Sequence, residues 1–237
     1  MPTYSVDPRI FTLFPAFRRG VVVATNLDNT TPDPALGALL PAAAEAMVGA
    51  TAAESEPAQI SVWNDAYLKL AVDPKKFTPS IKFLYEQTRK GKAPRSISKI
   101  VDIMNLVSLR RMAPCGGDDL QAILPGDICL GYAQGDETFA PLFKPAALDN
   151  PTPGEVIYYT PQTKKVMCRR WTWRNADFSK ITPETKEVAI NIDIMAPPFS
   201  EGDVDSALAE MVQLLEQYCG ARTTCLKLTA ATPSFTF

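Results

Sequence analysis

Hydrophobic residues recur at helical spacing through the first half of the chain and in short strand-like runs through its middle. Near the start, Phe11-Thr-Leu-Phe-Pro-Ala-Phe17 leads into Gly20-Val-Val-Val-Ala-Thr25, an apolar run that reads as a buried strand. Thr31-Pro-Asp-Pro34 opens a helix reaching about Val48, with Asp33 as its cap and Pro34 in its first turn. A polar joint at Thr51–Ala58 precedes a helix over Gln59–Ala71, whose stripe of Ile60, Trp63, Tyr67 and Leu70 predicts Trp63 and Tyr67 as core residues. Thr78 is expected to cap a helix running from Pro79 to near Gly91. Another starts around Ser98, with Ile100, Ile103, Met104 and Val107 as its buried stripe and Pro114 limiting its end. Strands are expected at Asp127–Ala133, Glu155–Thr160, Lys165–Arg170 and Glu187–Met195. A late helix from about Gly202 to Tyr218, closed by Gly220, precedes a last strand at Thr224–Ala230. Helices first, strands in the middle and a helix late make an α+β chain rather than a regular βαβ alternation.

The chain contains no histidine. Imidazole is the usual general base near neutral pH and the commonest metal ligand, so nucleophiles paired with imidazole, two-histidine metalloprotease helices and histidine-containing zinc sites are excluded together. Any chemistry must use carboxylates, amides, hydroxyls, thiols or the substrate itself. The five cysteines are odd in number and none lies in a Cys-x-x-Cys pair, which argues against a disulfide framework or structural zinc and suits a reducing cytoplasm. Metal-ligand spacing, a phosphate-binding glycine loop and a dinucleotide fingerprint are all missing, so no metal or cofactor is expected. No apolar run approaches the roughly 20 residues that span a bilayer, and the first residues lack the basic and apolar regions of a signal peptide. No membrane association is expected.

The net charge of −2 conceals a segregation. Pro74–Arg111 holds ten Lys/Arg against two Asp/Glu, and Pro161–Ile190 seven against three. The stretches Asn26–Asp73 and Met112–Thr160 each hold seven acids against one base. If the basic blocks meet, they make a positive face on an acidic body, suited to a polyanion; otherwise they are solvated faces balanced by acidic neighbours.

Two clusters inside or beside these blocks could carry chemistry. Pro114-Cys-Gly-Gly-Asp-Asp119 reads as a helix exit into two glycines, Gly116 and Gly117, where backbone can approach a ligand. The helix before it carries Lys99, Asn105 and Arg110; Asn105, disfavoured by helix propensity, either recognises a substrate or satisfies backbone groups. In Cys168-Arg-Arg-Trp-Thr-Trp-Arg-Asn175, read as a strand, Cys168, Arg170, Thr172 and Arg174 face one way and Arg169, Trp171 and Trp173 the other. Arginines alternating with tryptophans can stack on bases and contact phosphate, or pack a core edge and pair with the acidic flanks. Cys115 and Cys168 would be nucleophiles only with a cationic neighbour lowering their pKa, and they read as packing residues.

At these segments the chain resembles the B3/B4 (tRNA-binding) domain of the phenylalanyl-tRNA synthetase β subunit, in particular its stand-alone relatives. Val101-Asp-Ile-Met-Asn-Leu-Val-Ser-Leu-Arg-Arg-Met-Ala-Pro-Cys-Gly-Gly-Asp-Asp119 is similar to the synthetase pattern Val-Asp-Val-x-Asn-x-Val-x-x-x-x-x-x-Pro-x-His-x-x-Asp, and Pro183-Glu-Thr-Lys-Glu-Val188 to a second motif, Asp-Glu-Thr-x-x-Val. The resemblance extends from about Val62 to Met195 and implies one domain over 1–237, of three-layer α+β fold, with a β-sandwich core flanked by helices. It implies an editing-type activity on mischarged aminoacyl-tRNA, acting in trans. The partner would be the aminoacylated acceptor end of a tRNA, with no DNA expected. Asn105 would hold the amino-acid end and Asp118 would orient water or amine. Lys99, Arg110, Gly116, Gly117, Cys168, Arg169, Arg170, Trp171, Trp173 and Arg174 would shape the pocket or hold terminal nucleotides. The family histidine falls on Gly116. The acid that recognises a tyrosine hydroxyl in the synthetase has Asp177 as its nearest counterpart. Ester hydrolysis needs no protein base, because the aminoacyl ester is already activated and a held water with amide donors suffices. A non-catalytic RNA-binding module and a binder of small amino-acid-like molecules are the other readings of the same residues.

Overall fold

The computed structural model describes residues 1–50 and 56–237; residues 51–55 of the expected polar joint lie outside the described part. Two sheets and a helical layer are stacked. The inner sheet is wholly antiparallel and consists of β3 (Cys115–Asp119), β8 (Val188–Met195), β2 (Phe17–Thr25) and β9 (Arg222–Leu228), in that order. The outer sheet is β10 (Ser234–Thr236), β1 (Thr3–Val6), β4 (Ile128–Tyr132), β5 (Val156–Thr160), β6 (Lys165–Arg169) and β7 (Arg174–Asn175), antiparallel except where β1 meets β4. A short α1 (Pro8–Leu13) follows β1, and the helical layer comprises α2 (Pro34–Gly49), α3 (Ala58–Lys69), α4 (Ser80–Arg89), α5 (Lys99–Arg111) and α6 (Glu201–Cys219).

Local chemistry explains most element ends. The Asp33 carboxylate accepts from the N–H groups of Ala35 and Leu36 at the start of α2. Ser98 occupies the cap of α5, and Gly220 takes the left-handed conformation (φ 62°) that ends α6. Helix α4 starts one residue later than Thr78 would dictate: Pro79 sits at the cap without a side-chain bond. Strand β2 reads as a continuous apolar run because α6 covers one of its faces, while Tyr4 and Tyr158 of the outer sheet meet Arg19 on the other. The α6 side tolerates no Cβ at Gly20, which would meet Leu208 Cδ2 at 2.9 Å and Val204 Cγ2 at 3.0 Å.

Between the sheets lies a buried polar knot. Arg19 on β2 forms a bidentate pair with Asp193 on β8, at 2.7 Å through both Nε and Nη2. Trp171 Nε1 donates to the same carboxylate at 2.9 Å, and the Tyr158 hydroxyl of the outer sheet donates to that of Tyr4 at 2.6 Å. Trp171 is the hub of the aromatic packing, edge-on to Phe14, Phe17 and Trp63.

Two expectations are corrected here. The Cys168–Asn175 string is no continuous strand: β6 stops at Arg169, Arg170 (φ 46°) and Trp171 (φ 63°) are left-handed, and β7 turns back to pair Asn175 with Cys168. The reversal is held by distant groups, since the Tyr67 hydroxyl donates to the Arg170 carbonyl at 2.6 Å and Trp171 N–H donates to the Val156 carbonyl at 2.9 Å. Strict alternation of faces is therefore lost. The Cys115–Asp119 stretch, expected as a loop, is the edge strand β3, because β8 offers it a ladder partner.

Candidate functional site

A cleft of about 840 Å³ opens between α4 and α5 on one side and β3, β7 and the segment 176–181 on the other. Its floor is apolar, from Ile81, Leu84, Val101 and Met104. A smaller chamber of about 60 Å³ shares Ser80, Asn175 and the Cys115–Asp118 wall with it and is closed by Arg19, Tyr158 and Asn191.

Helix α5 delivers Asn105, half-buried, to the cleft. None of the described residues hydrogen-bonds its carboxamide. The preceding Asp102 plays a different part: its carboxylate accepts from the Ile97 N–H at 2.9 Å and the Ser96 hydroxyl at 2.5 Å, pinning the loop that leads into the helix. Buried Asn29 completes that anchorage, accepting from Ile100 N–H and donating to the Thr182 carbonyl.

Strand β3 supplies the other wall. Gly116 faces open space in both cavities, so any side chain at this position would project into the cleft. Gly117 is required sterically, since a Cβ there would lie 2.9 Å from Met104 Sδ and 3.0 Å from Ile190 Cγ1. Asp118 is buried and accepts from the Ser179 hydroxyl at 2.6 Å; burial pushes its carboxyl up to about 7, against the pull of Ser179 and Arg19. The Thr185 hydroxyl, from the second motif, donates to Asp119 at 2.6 Å and braces the strand from behind.

The remaining sequence candidates divide. Trp173 and Arg174 reach the cleft, with the Arg174 guanidinium 4.5 Å from the Trp173 ring centroid. Trp171 lies in the core, and Arg169 is buried in a bidentate pair with Glu155 and a further pair with Asp149. Arg170 stacks at 3.6 Å over Phe77. Lys99 is sequestered with Asp28 and Arg110 with Glu210 on α6; neither lines the cleft, because each is spent on an acid from another element. Asp177 is likewise committed, accepting from Phe143 N–H at 2.9 Å and pairing with Lys180. The basic blocks meet the cleft through Lys76 and Lys92 from one and Arg174 and Lys180 from the other. Burial raises the Cys168 thiol to about 12 and that of Cys115 well above its ordinary value, so both are protonated at neutral pH. Sequence reasoning missed Ser179, Lys180, Asn191 and Phe143. Only Asn175, next to the Arg-Trp string, was signposted.

Residues 62–220 match the family model described as the B3/4 domain. The chain belongs to the B3/4 domain family. The B3/4 match takes in most of α3, all of α4, α5 and α6, and the lining of the cleft from Lys76 to Ile181. A similar solved structure is an N-terminal fragment of the phenylalanyl-tRNA synthetase β subunit from Pyrococcus horikoshii, at 15% identity and a TM-score of 0.45, covering 94% of this chain and 53% of that one. This chain thus spans about half the length of that fragment. No curated protein matches. Among the described residues of this B3/4 protein, no helix is long and apolar enough to cross a membrane.

Proposed function

We propose that this B3/4 protein acts as one unit that receives the aminoacylated acceptor end of a tRNA in its cleft and hydrolyses mischarged esters in trans. The observation that carries the reading is the convergence, on one apolar cleft, of a carboxamide that no described residue engages (Asn105), a buried acid poised near neutrality (Asp118), the cations Lys76, Lys92 and Arg174, and Lys180 in its pair with Asp177. The apolar floor suits an amino-acid side chain and the cations suit backbone phosphates. Asn105 holds the amino-acid end through its amide. Asp118, kept in place by Ser179, orients the attacking water or the substrate amine. Water adds to the ester carbonyl, the bond to the ribose oxygen breaks, and that oxygen leaves with a proton drawn from the water. No thiol intermediate is required, in keeping with the raised pKa of Cys115 on the cleft wall and of buried Cys168 on the small chamber.

Single-turnover deacylation of a panel of mischarged aminoacyl-tRNAs tests the reading. Gly116→Leu, which fills open space on the cleft wall, should abolish turnover while leaving thermal stability close to wild type. Asn105→Ala should lower activity or affinity with little stability loss. Wild-type protein that turns over no ester, or that binds tRNA without salt dependence, would remove the proposal.

A further inference from the structure

Three large apolar side chains stand exposed around the mouth of the cleft: Phe83 (57% exposed), Ile97 (65%) and Phe143 (79%). Single exposed hydrophobics are ordinary, but several gathered on one opening mark a surface that meets a ligand. Two of the three stand on backbone that a side-chain carboxylate fixes. The Ile97 N–H is fixed by the Asp102 carboxylate. Phe143 donates its N–H to Asp177, and its neighbour Leu142 donates to the Asn175 carbonyl at 2.9 Å. Phe143 also sits at φ 61°, in the left-handed region that a bulky residue avoids. Backbone strain of this kind clusters at ligand-binding and active sites, which directs attention to the ring that Phe143 carries.

The charge lining the cleft is mostly positive. Lys76, Lys92 and Arg174 line the same cleft, Lys180 lines it paired with the Asp177 that holds the Phe143 N–H, and Asp118, the one acid among the described lining residues, is buried in the wall, although the whole chain carries a net charge of −2. An occupant that matches both features has flat apolar faces joined to negative charge, which describes an unpaired nucleotide. An aliphatic chain would use the apolar rim but not the cations. A folded acidic protein would use the cations but would not need rings set at a cleft mouth.

We infer that Phe143 and Phe83 are stacking surfaces for the unpaired bases at the 3′ end of an RNA whose phosphates are met by Lys76, Lys92 and Arg174. This rests on the tRNA-end reading above and adds to it the subsite for the terminal bases. Stacking on an aromatic face tolerates any base, so the subsite would recognise single-strandedness rather than sequence.

The test uses the full chain and fluorescence anisotropy with a labelled RNA hairpin bearing a short single-stranded 3′ overhang. A second hairpin carries the same overhang without bases. Phe143→Gly, which removes the ring and suits the left-handed backbone, should weaken binding of the first hairpin by about 5- to 100-fold and leave the second unchanged. Phe143→Tyr should restore affinity. The slope of log affinity against log salt should be the same in wild type and Phe143→Gly, and shallower in Lys76→Ala and Lys92→Ala. Equal weakening for both hairpins, or no weakening while the lysine variants still lose affinity, would overturn the stacking subsite and leave the tRNA-end reading in place. Absence of salt-dependent binding to either hairpin by wild type would remove both.

Discussion

Replacing Asp118 with asparagine isolates the cost of burying that acid. In the folded protein burial raises its carboxyl from an ordinary value near 3.8 to about 7, with the Ser179 hydroxyl and Arg19 opposing the rise and Asp119 adding to it. Because the folded value lies above the unfolded one, the native state binds more protons than the unfolded state between about pH 4 and about pH 7. Stability attributable to this group is therefore fully present below about pH 4, falls as pH rises through the window, and is level above about pH 7. At about 1.4 kcal/mol per pH unit, the full excursion amounts to at most about 4 kcal/mol. Asparagine keeps an oxygen to accept from Ser179 and has nothing to ionise. Urea unfolding of wild type and Asp118→Asn across this range should show a stability difference that moves in favour of the variant with rising pH and then levels off. A difference constant with pH would refute the raised pKa. One that moves the other way, with wild type gaining as pH rises, would show a carboxylate stabilised as the anion. If Asp118 orients the attacking water, the deacylation rate of wild type should also titrate near neutrality.

Arg19→Met should cost about 3–5 kcal/mol in chemical denaturation, because it strands the Asp193 carboxylate between the sheets with Trp171 as its one remaining side-chain donor among the described residues. Gly117→Ala should destabilise by about 1–3 kcal/mol through collision with Met104 and Ile190, whereas Gly116→Ala should stay within about 0.5 kcal/mol of wild type; calorimetry separates the two glycines. The double variant Cys115→Ser, Cys168→Ser should retain any deacylase activity, and in native alkylation exposed Cys225 should react ahead of both buried-side thiols. A trapped acyl-enzyme would contradict the first of these expectations, and faster labelling of Cys168 the second.

The amino-acid sequence by itself determined the elements whose causes are local. Asp33 before Pro34, Ser98 before the α5 stripe and Gly220 after α6 each act within a few residues, and the helices begin or end where those residues stand. The burial of Trp63 and Tyr67 followed from helical spacing, and the motif from Val101 to Asp119 was sufficient to point to the family. Tertiary structure decided what depended on partners far along the chain. Arg19 lies 174 residues from the aspartate that makes it a structural ion, and Lys99 lies 71 from the acid that withdraws it from the cleft. An arginine in a binding face and an arginine in a buried pair look alike in sequence, since the difference is the position of a carboxylate. The reversal at Arg170 and Trp171 has no glycine, asparagine or proline to announce it, being held by Tyr67 and Val156 from elsewhere in the fold. Hydrophobic period and capping are written within a turn or two of chain, whereas ladder register, ion-pair choice and the walls of a cleft come from segments that meet only when the chain is folded.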